Sequence, residues 1–271
     1  MATLDINIRQ ANADFQAIKN SITETGIEVA EGTKTSEYAT KVGEVYEAGK
    51  NAEYNTFWDI YQKNGTRTNY DNAFGGQGWT PETLKPKYDI RPTSGYMMFR
   101  AMSFVRDDYY ADIAKHFEDL GIVLDTSNCT NLQYAFQWFF ASRFGKIDLS
   151  NCTSASSIFA YSTIYEMDEI VFSERTHIDG MFTGCGELEK VKFSGVLTKS
   201  LDMGDCKKLN KASIESIFNI ISQEVSNLSL TLSEEAVNKA FEESPGANNG
   251  VSSIEFWLLC ETRPGVSVSC I

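Results

Sequence analysis

The sequence has 271 residues, of which 24 are basic and 37 acidic, so its formal net charge is −13 at pH 7. A negative field of this size repels phosphate backbones and anionic lipids, which argues against nucleic acid and acidic membrane surfaces as partners. The longest apolar stretches fall well short of the roughly 20 residues that a membrane-spanning helix needs, so we predict no membrane insertion. Apolar side chains make up 42% of the sequence, which is enough for a sizeable core.

Residues 1–50 are predicted to form a helical module that attaches the chain to a partner. Two helices separated by Gly26 each place apolar side chains on one face at helical spacing. These side chains are Phe15, Ile18, Ile22, Tyr38, Val42 and Val45. Because two narrow apolar stripes bury little surface by themselves, such helices need a partner surface to be stable.

Residues 51–87 are predicted to connect this module to the rest of the chain. Aromatic residues recur at helical spacing over residues 52–63, and the glycine at Gly65 ends that pattern. The glycine-rich stretch before Trp79 lacks the Lys-Ser/Thr pair of a phosphate-binding loop. We therefore interpret it as a tight turn that presents Trp79.

A helix over residues 107–120, ended by Gly121, is predicted to interrupt a repeated pattern. Residues 88–100, before it, are interpreted as an imperfect early copy of the repeat unit. Asp107 and Asp108 are interpreted as the N-cap and first-turn charge of this helix rather than as a catalytic carboxylate pair.

A 23-residue repeat follows, and it organises the middle of the chain. One column of apolar residues lies in short strands and comprises Leu124, Ile147 and Ile170. A second column lies in half-turns and comprises Phe136, Phe159 and Phe182. Since a single unit of strand, polar turn and half-turn cannot bury its apolar face alone, the pattern predicts stacked units with a continuous core.

The cysteines of the repeats are predicted to be small buried residues of this core, and neither a metal site nor a disulfide framework is predicted for the chain. There are six, and no two of them form a C-x-x-C pair. Cys129 and Cys152 are 23 residues apart, which makes them one rung of the stack. Together with the two columns above, the predicted repeat core contains Cys129, Cys152, Cys185, Leu188, Val191 and Phe193.

Residues 210–271 are predicted to form an α/β cap that covers the end of the repeats. Ile214, Ile217 and Phe218 form a helical stripe, and residues 228–232 alternate as a strand does. Ser233 is predicted to cap a further helix, and residues 265–270 to form a last short strand.

Residues 181–193 read Met-Phe-Thr-Gly-Cys-Gly-Glu-Leu-Glu-Lys-Val-Lys-Phe, which resembles the signature of BspA-type leucine-rich repeats. In that family Phe-x-x-Cys-x-x-Leu precedes an inward-facing strand. The similarity extends over residues 122–209 and more weakly over 88–100, although the second unit lacks the cysteine and the first leucine. The resemblance implies an α+β fold: a short BspA-like solenoid over 88–209, with an N-terminal helical module and a C-terminal α/β cap.

Residues 22–42 resemble short N-terminal modules of tailed-phage tail and fibre proteins, and residues 57–70 resemble the segment that follows in phage and prophage repeat proteins. This resemblance implies a virion component of a tail, baseplate or fibre. Its N-terminal helices would bind other virion proteins, its repeats would contact a host-surface glycan or protein, and a homo-oligomer such as a trimer is expected by analogy. The opening residues show no secretory signal, which fits synthesis in the host cytoplasm.

The predicted contact surface consists of Trp79 and of Trp138, Phe139 and Phe140, three aromatic residues in a row that cannot all face inward. Carbohydrate or protein could stack on such a surface. The alternative is that these side chains pack against the next repeat or against a sister subunit.

No catalytic, cofactor-binding or metal-binding residue is predicted, so we expect the protein not to be an enzyme. His116 and His177 have no second His or Cys at metal-ligand spacing. The alternatives to a tail or fibre protein are a capsid fibre or decoration protein and a bacterial BspA-like surface adhesin. A polysaccharide hydrolase would need two carboxylates facing each other across about 5–10 Å, and no pattern in the sequence indicates such a pair.

Overall fold

The computed structural model describes residues 57–76, 78–106, 109–241 and 254–271. The chain divides into two compact units, residues 1–61 and 62–271. The predicted attachment helices, with Phe15, Ile18, Ile22, Tyr38, Val42 and Val45, lie outside the described residues. In the first unit, residues 57–61 are helical, and the rings of Phe57, Trp58 and Tyr61 contact one another at 5.1–5.5 Å. No helix in the described ranges is long and apolar enough to cross a bilayer.

The second unit begins with a small sheet followed by a helix. Strand β1 (Gly78–Trp79) pairs parallel with β2 (Ser103–Arg106), which pairs antiparallel with β3 (Tyr109–Tyr110). Helix α1 (Ile113–Leu120) ends at Gly121, whose φ of 66° is easily adopted by glycine. The prediction that Asp107 or Asp108 caps this helix is wrong: Asp112 is the N-cap and accepts the Lys115 N–H, because β3 occupies part of the expected helix.

The central sheet consists of three parallel strands: β4 (Arg143–Asp148), β5 (Glu166–Phe172) and β6 (Lys190–Gly195). Ile147 pairs with Ile170, which pairs with Phe193, so like positions of successive units lie side by side. These three side chains are at most 3% exposed. Leu124, expected in the same column, is only half-buried, because it lies outside the three-stranded sheet and pairs with Ile90 instead.

A third sheet and three further helices follow in the same compact unit. Strands β7 (Leu201–Met203), β8 (Leu228–Leu232) and β9 (Val266–Cys270) are parallel and lie in this order. Helix α2 (Lys211–Ile220) is capped by Asn210 and helix α3 (Glu234–Ala240) by Ser233, and each cap accepts a backbone N–H of the first turn. Helix α4 (Ile254–Glu261) precedes β9.

A column of five stacked phenylalanine rings forms the centre of the core. Consecutive rings have centroids 4.7–5.7 Å apart and planes within 19° of parallel. The column comprises Phe74, Phe99, Phe136, Phe159 and Phe182. All five are at most 1% exposed, so each ring covers the next from water. Phe74 belongs to an additional unit that the sequence pattern did not reveal.

Two left-handed residues flank every ring of this column, one two positions before it and one two positions after it. The preceding position has φ between 52° and 62° and is occupied by Asn72, Met97, Tyr134, Ser157 and Gly180. The following position has φ between 53° and 70° and is occupied by Gly76, Ala101, Trp138, Tyr161 and Gly184. Backbone hydrogen bonds link these half-turns from unit to unit; for example, Trp138 N–H donates to Ala160 and Tyr161 N–H to Thr183.

The cysteines of the repeats are buried thiols. Cys129, Cys152, Cys185 and Cys206 are at most 1% exposed, and none of the six forms a disulfide. Burial raises the pKa of Cys129 to about 12 and the pKa values of Cys152 and Cys185 to about 11. The remaining predicted core residues are also at most 4% exposed, namely Leu188 and Val191. These thiols are therefore held in the protonated, unreactive form at neutral pH.

Candidate functional site

The predicted contact surface is exposed at only one of its four residues. Trp138 is 41% exposed, whereas Phe139 is fully buried against Phe136 and Phe144, with ring centroids 5.6 Å away in both cases. The expectation that Phe139 contacts a partner is therefore wrong. Phe140 is half-buried and stacks on Tyr110 at 5.8 Å.

Trp79 is also held by its own chain. It is half-buried, and its indole N–H donates to the Phe74 carbonyl oxygen at 3.2 Å. Its ring meets Phe74 edge-on, with centroids 6.4 Å apart. Trp79 thus packs against the first ring of the column.

Tyr161 is a surface residue that the sequence reasoning missed. It is 49% exposed, and its ring lies 6.2 Å from the ring of Trp138, with 36° between the planes. The repeat spacing could have indicated it, because Tyr161 follows Phe159 by two residues, as Trp138 follows Phe136. The pair is therefore repeated by the same half-turn in successive units.

Arg100 completes what we call the aromatic patch, defined as Arg100, Trp138 and Tyr161. The Arg100 guanidinium lies 5.0 Å from the Trp138 ring centroid, and its Nε donates to the Gln137 side-chain oxygen at 2.8 Å. On the other side the Tyr161 ring lies over Gly184, where a β-carbon would clash with it. The patch is thus a row of three neighbouring planar groups, of which the Trp138 and Tyr161 rings are exposed.

The backbone under the aromatic patch is strained. Trp138 has φ 53° and Tyr161 φ 61°, a region that bulky side chains rarely adopt. At the two ends of the same column glycine occupies the position, as Gly76 and Gly184. The unit-to-unit hydrogen bonds described above hold both aromatic residues in this conformation, so their side chains are displayed from a fixed backbone.

The outer face of the central sheet carries a second ordered surface of charged side chains. Glu169 on β5 lies between Lys146 on β4 and Lys192 on β6, at 3.1 and 2.8 Å. Glu166 lies in the same way between Arg143 and Lys190, each 3.7 Å away. The hydrogen bond from Lys192, together with that from Lys146, lowers the pKa of Glu169 to about 2. These cross-strand pairs place opposite charges side by side across the three strands.

A groove of about 460 Å³ lies between α1 and the edge strand β4. Apolar Ala114 and Phe117 and charged Arg143 and Asp168 are among the residues that line it. Gly145 also lines the groove, and an added β-carbon there would make only ordinary contact with Ala114. The groove therefore has both apolar and charged walls, without a predominant sign of charge.

The two histidines are engaged in contacts within the chain. The His116 ring hydrogen-bonds the Leu84 carbonyl oxygen and lies 5.2 Å from the Phe104 ring, whereas His177 is exposed in a turn bridged to Ser154. Within the described ranges, no group of three or more His, Cys, Asp and Glu side chains is placed to hold a metal ion.

No model of a known protein family matches the chain, and neither does any curated protein or any solved structure. The geometry of the chain's own surfaces is therefore the basis for a functional proposal.

Proposed function

We propose that this chain is a non-catalytic structural and adhesion protein of a phage virion, in a tail, baseplate or fibre. Its BspA-like leucine-rich-repeat solenoid would display the aromatic patch toward a host-surface glycan or protein. The strained, exposed conformation of Trp138 and Tyr161 carries this proposal. The location in a virion rests on the resemblance of residues 22–42 and 57–70 to phage modules.

The left-handed backbone of Trp138 and Tyr161 costs conformational free energy. A non-glycine residue in the left-handed region costs about 1–2 kcal/mol relative to its ordinary conformation. Gly76 and Gly184 avoid this penalty at equivalent positions, so the fold accepts glycine there. Ala101 occupies an equivalent position with the same backbone conformation, so left-handed residues belong to the half-turn itself. Trp138 and Tyr161 differ from Ala101 because they place large, exposed aromatic side chains there, which is typical of binding sites.

The chemistry of the aromatic patch suits an amphipathic ligand. Exposed aromatic rings pack against the C–H surfaces of sugars or against apolar side chains, and Arg100 offers N–H donors to hydroxyl or carbonyl oxygens beside them. Tryptophan, tyrosine and arginine are also the residues most enriched among binding hot spots of proteins. A host glycan or surface protein is therefore the expected ligand.

The stacked units support the solenoid part of the proposal. Parallel strand pairs in the central sheet, the five-ring column and the left-handed half-turns all repeat from unit to unit. In a repeat protein each unit contacts mainly its neighbours, which leaves a long surface free for display.

A binding experiment with glycine variants tests the adhesion part. We expect purified protein to bind envelopes of the host bacterium, and the double variant Trp138→Gly/Tyr161→Gly to lose binding while its unfolding midpoint does not fall below that of the wild type, because glycine relieves the left-handed strain at both positions. The matched control is Ala101→Gly, at the same position of a neighbouring unit, which should bind normally. Equal binding by the double variant and the wild type would contradict the proposal.

Immunogold electron microscopy tests the location, with antibody raised against residues 88–209. Label at the distal tail supports a host-contacting tail or fibre protein, and label on the head indicates a capsid fibre or decoration protein. Label on the surface of uninfected bacteria instead indicates a cell-surface adhesin. Particles without label contradict the virion proposal, whatever the outcome of the binding experiment.

A further inference from the structure

The third sheet of the chain ends in an edge strand without the usual protection. β9 pairs with β8 over five residues and is the last strand of its sheet among the residues that the structure describes. Natural edge strands commonly carry a charge, a proline or a bulge, because an unprotected edge pairs with other strands. β9 reads Val-Ser-Val-Ser-Cys in unbroken register with β8, so it has none of these features.

The apolar core reaches this edge without being closed there. The three leucines of β8, Leu228, Leu230 and Leu232, are at most 3% exposed. Their partners on the same face of β9 are only half-buried, and these are Val266, Val268 and Cys270. A further strand beside β9 would complete the burial of this apolar row.

The backbone hydrogen bonds show which groups of β9 face the open edge. Gly265 accepts from Leu228 N–H, and Ile271 N–H donates to Leu232, so the odd-numbered residues face β8. Since backbone groups of alternate residues in a strand point to opposite edges, the N–H and C=O of Val268 and Cys270 point outward. The Val266 carbonyl points the same way, whereas its N–H already donates to Arg263.

We propose that this edge is a homodimer interface, in which β9 pairs antiparallel with β9 of a second copy around a two-fold axis at Val268. In this register Val268 faces the partner's Val268, Val266 faces the partner's Cys270, and Ser267 faces the partner's Ser269. Apolar side chains meet apolar ones and hydroxyls meet hydroxyls, so the strand is complementary to itself.

Charge favours a second copy of this chain at this edge. Each copy has a net charge of −13, so most pairs of its surfaces repel each other. Residues 265–271 contain no charged side chain. Glu255 on the preceding helix α4 is paired with Lys211 at 2.6 Å. The β9 strands of two copies can therefore pair without placing charged side chains of the strand opposite each other. The Glu234 carboxylate lies near Cys270, which faces the uncharged Val266 of the second copy in this register.

Sedimentation velocity of the full chain over a wide range of concentrations tests this proposal. We expect a reversible dimer with twice the chain mass of 30.3 kDa. Val268→Pro removes an outward N–H but no hydrogen bond to β8, and Ser267→Asp places a carboxylate at the two-fold interface. Both variants should sediment as monomers with the circular dichroism spectrum of the wild type.

The matched control is Asn128→Asp, an exposed substitution in a repeat turn that makes the same change in net charge as Ser267→Asp. It should remain dimeric. A monomer at all concentrations, a trimer, or a dimer that Ser267→Asp leaves intact would overturn the proposal, and Ser267→Asp decides it if Val268→Pro does not fold. β9 lies outside the aromatic patch, so the result is independent of the proposed function.

Discussion

The ring of Phe136 stacks on the ring of Phe159 with centroids 5.6 Å apart and 19° between the planes, although 23 residues separate them in the chain. The contact joins equivalent positions of two neighbouring units. It is the third of the four contacts in the five-ring column, so each of the two rings has a further phenylalanine ring on its other side. The same row of rings thus contributes buried apolar surface and holds neighbouring repeat units next to each other.

Truncation of a ring in this column should strongly destabilise the compact unit of residues 62–271. Phe159→Ala should lower the free energy of unfolding by about 3–5 kcal/mol, because it removes a fully buried ring and leaves a cavity between two others. Urea unfolding followed by circular dichroism measures this change. The control Tyr165→Ala, at a side chain that is 41% exposed, should cost less than about 1 kcal/mol. Equal losses for both variants would show that the column does not dominate stability.

Two glycines of the same backbone column should respond differently to alanine. Gly76 and Gly184 have φ 69° and 70°, so either substitution introduces strain of about 1 kcal/mol or more. Nothing lies near a β-carbon at Gly76, whereas one at Gly184 clashes with the Tyr161 ring. Gly184→Ala should therefore lower the thermal midpoint further than Gly76→Ala, and calorimetry measures both. The difference should disappear in a Tyr161→Ala background.

The left-handed residue Ala101 should gain stability when replaced by glycine. Ala101 is exposed and has φ 55°, so Ala101→Gly relieves strain and should raise the free energy of unfolding by a few tenths to about 1 kcal/mol. The opposite sign is expected for Ala212→Gly, an exposed position in helix α2, because glycine destabilises a right-handed helix by roughly 0.5–1 kcal/mol. Denaturant unfolding of both variants tests this contrast, which fails if both changes have the same sign.

Acid should weaken the charged face of the central sheet. The Lys192 and Lys146 ammonium groups hold the pKa of Glu169 at about 2, below its ordinary value of 4.5. Because the folded pKa is the lower one, this contribution to stability is present above pH 4.5 and is lost as the pH falls toward 2. Its size should be roughly 1 kcal/mol or less, since the lysines are exposed and salt screens the pairs.

The variant Glu169→Gln isolates this contribution. Its free energy of unfolding should be lower than that of the wild type at pH 6, and the two should converge as the pH approaches 2. Exposed Glu174→Gln serves as the control and should follow the wild-type curve. A constant difference between Glu169→Gln and the wild type at every pH would contradict an ionic origin.

The local sequence pattern was enough to predict which strand residues and which rings of the 23-residue repeat units lie next to each other. Ile147 and Ile170 pair directly across β4 and β5, and Phe136, Phe159 and Phe182 stack, because a fixed spacing of 23 residues returns the chain to the same place. The pattern did not predict that Phe74 belongs to the ring column, because 25 residues separate Phe74 from Phe99 and 37 separate Phe99 from Phe136. The insertion of β3 and α1 breaks the period there, while the rings stack regardless.

The sequence by itself determined the repeat period, the buried cysteines and the ends of most C-terminal elements, because these depend on spacing and on residues near in the chain. Only the tertiary structure decided that Phe139 is buried while Trp138 and Tyr161 are displayed, because that choice depends on the half-turn shape and on rings supplied by other units. It also decided that β9 is the edge strand of its sheet among the described residues, since the order of strands in a sheet depends on which distant segments pair and not on the strand's own residues.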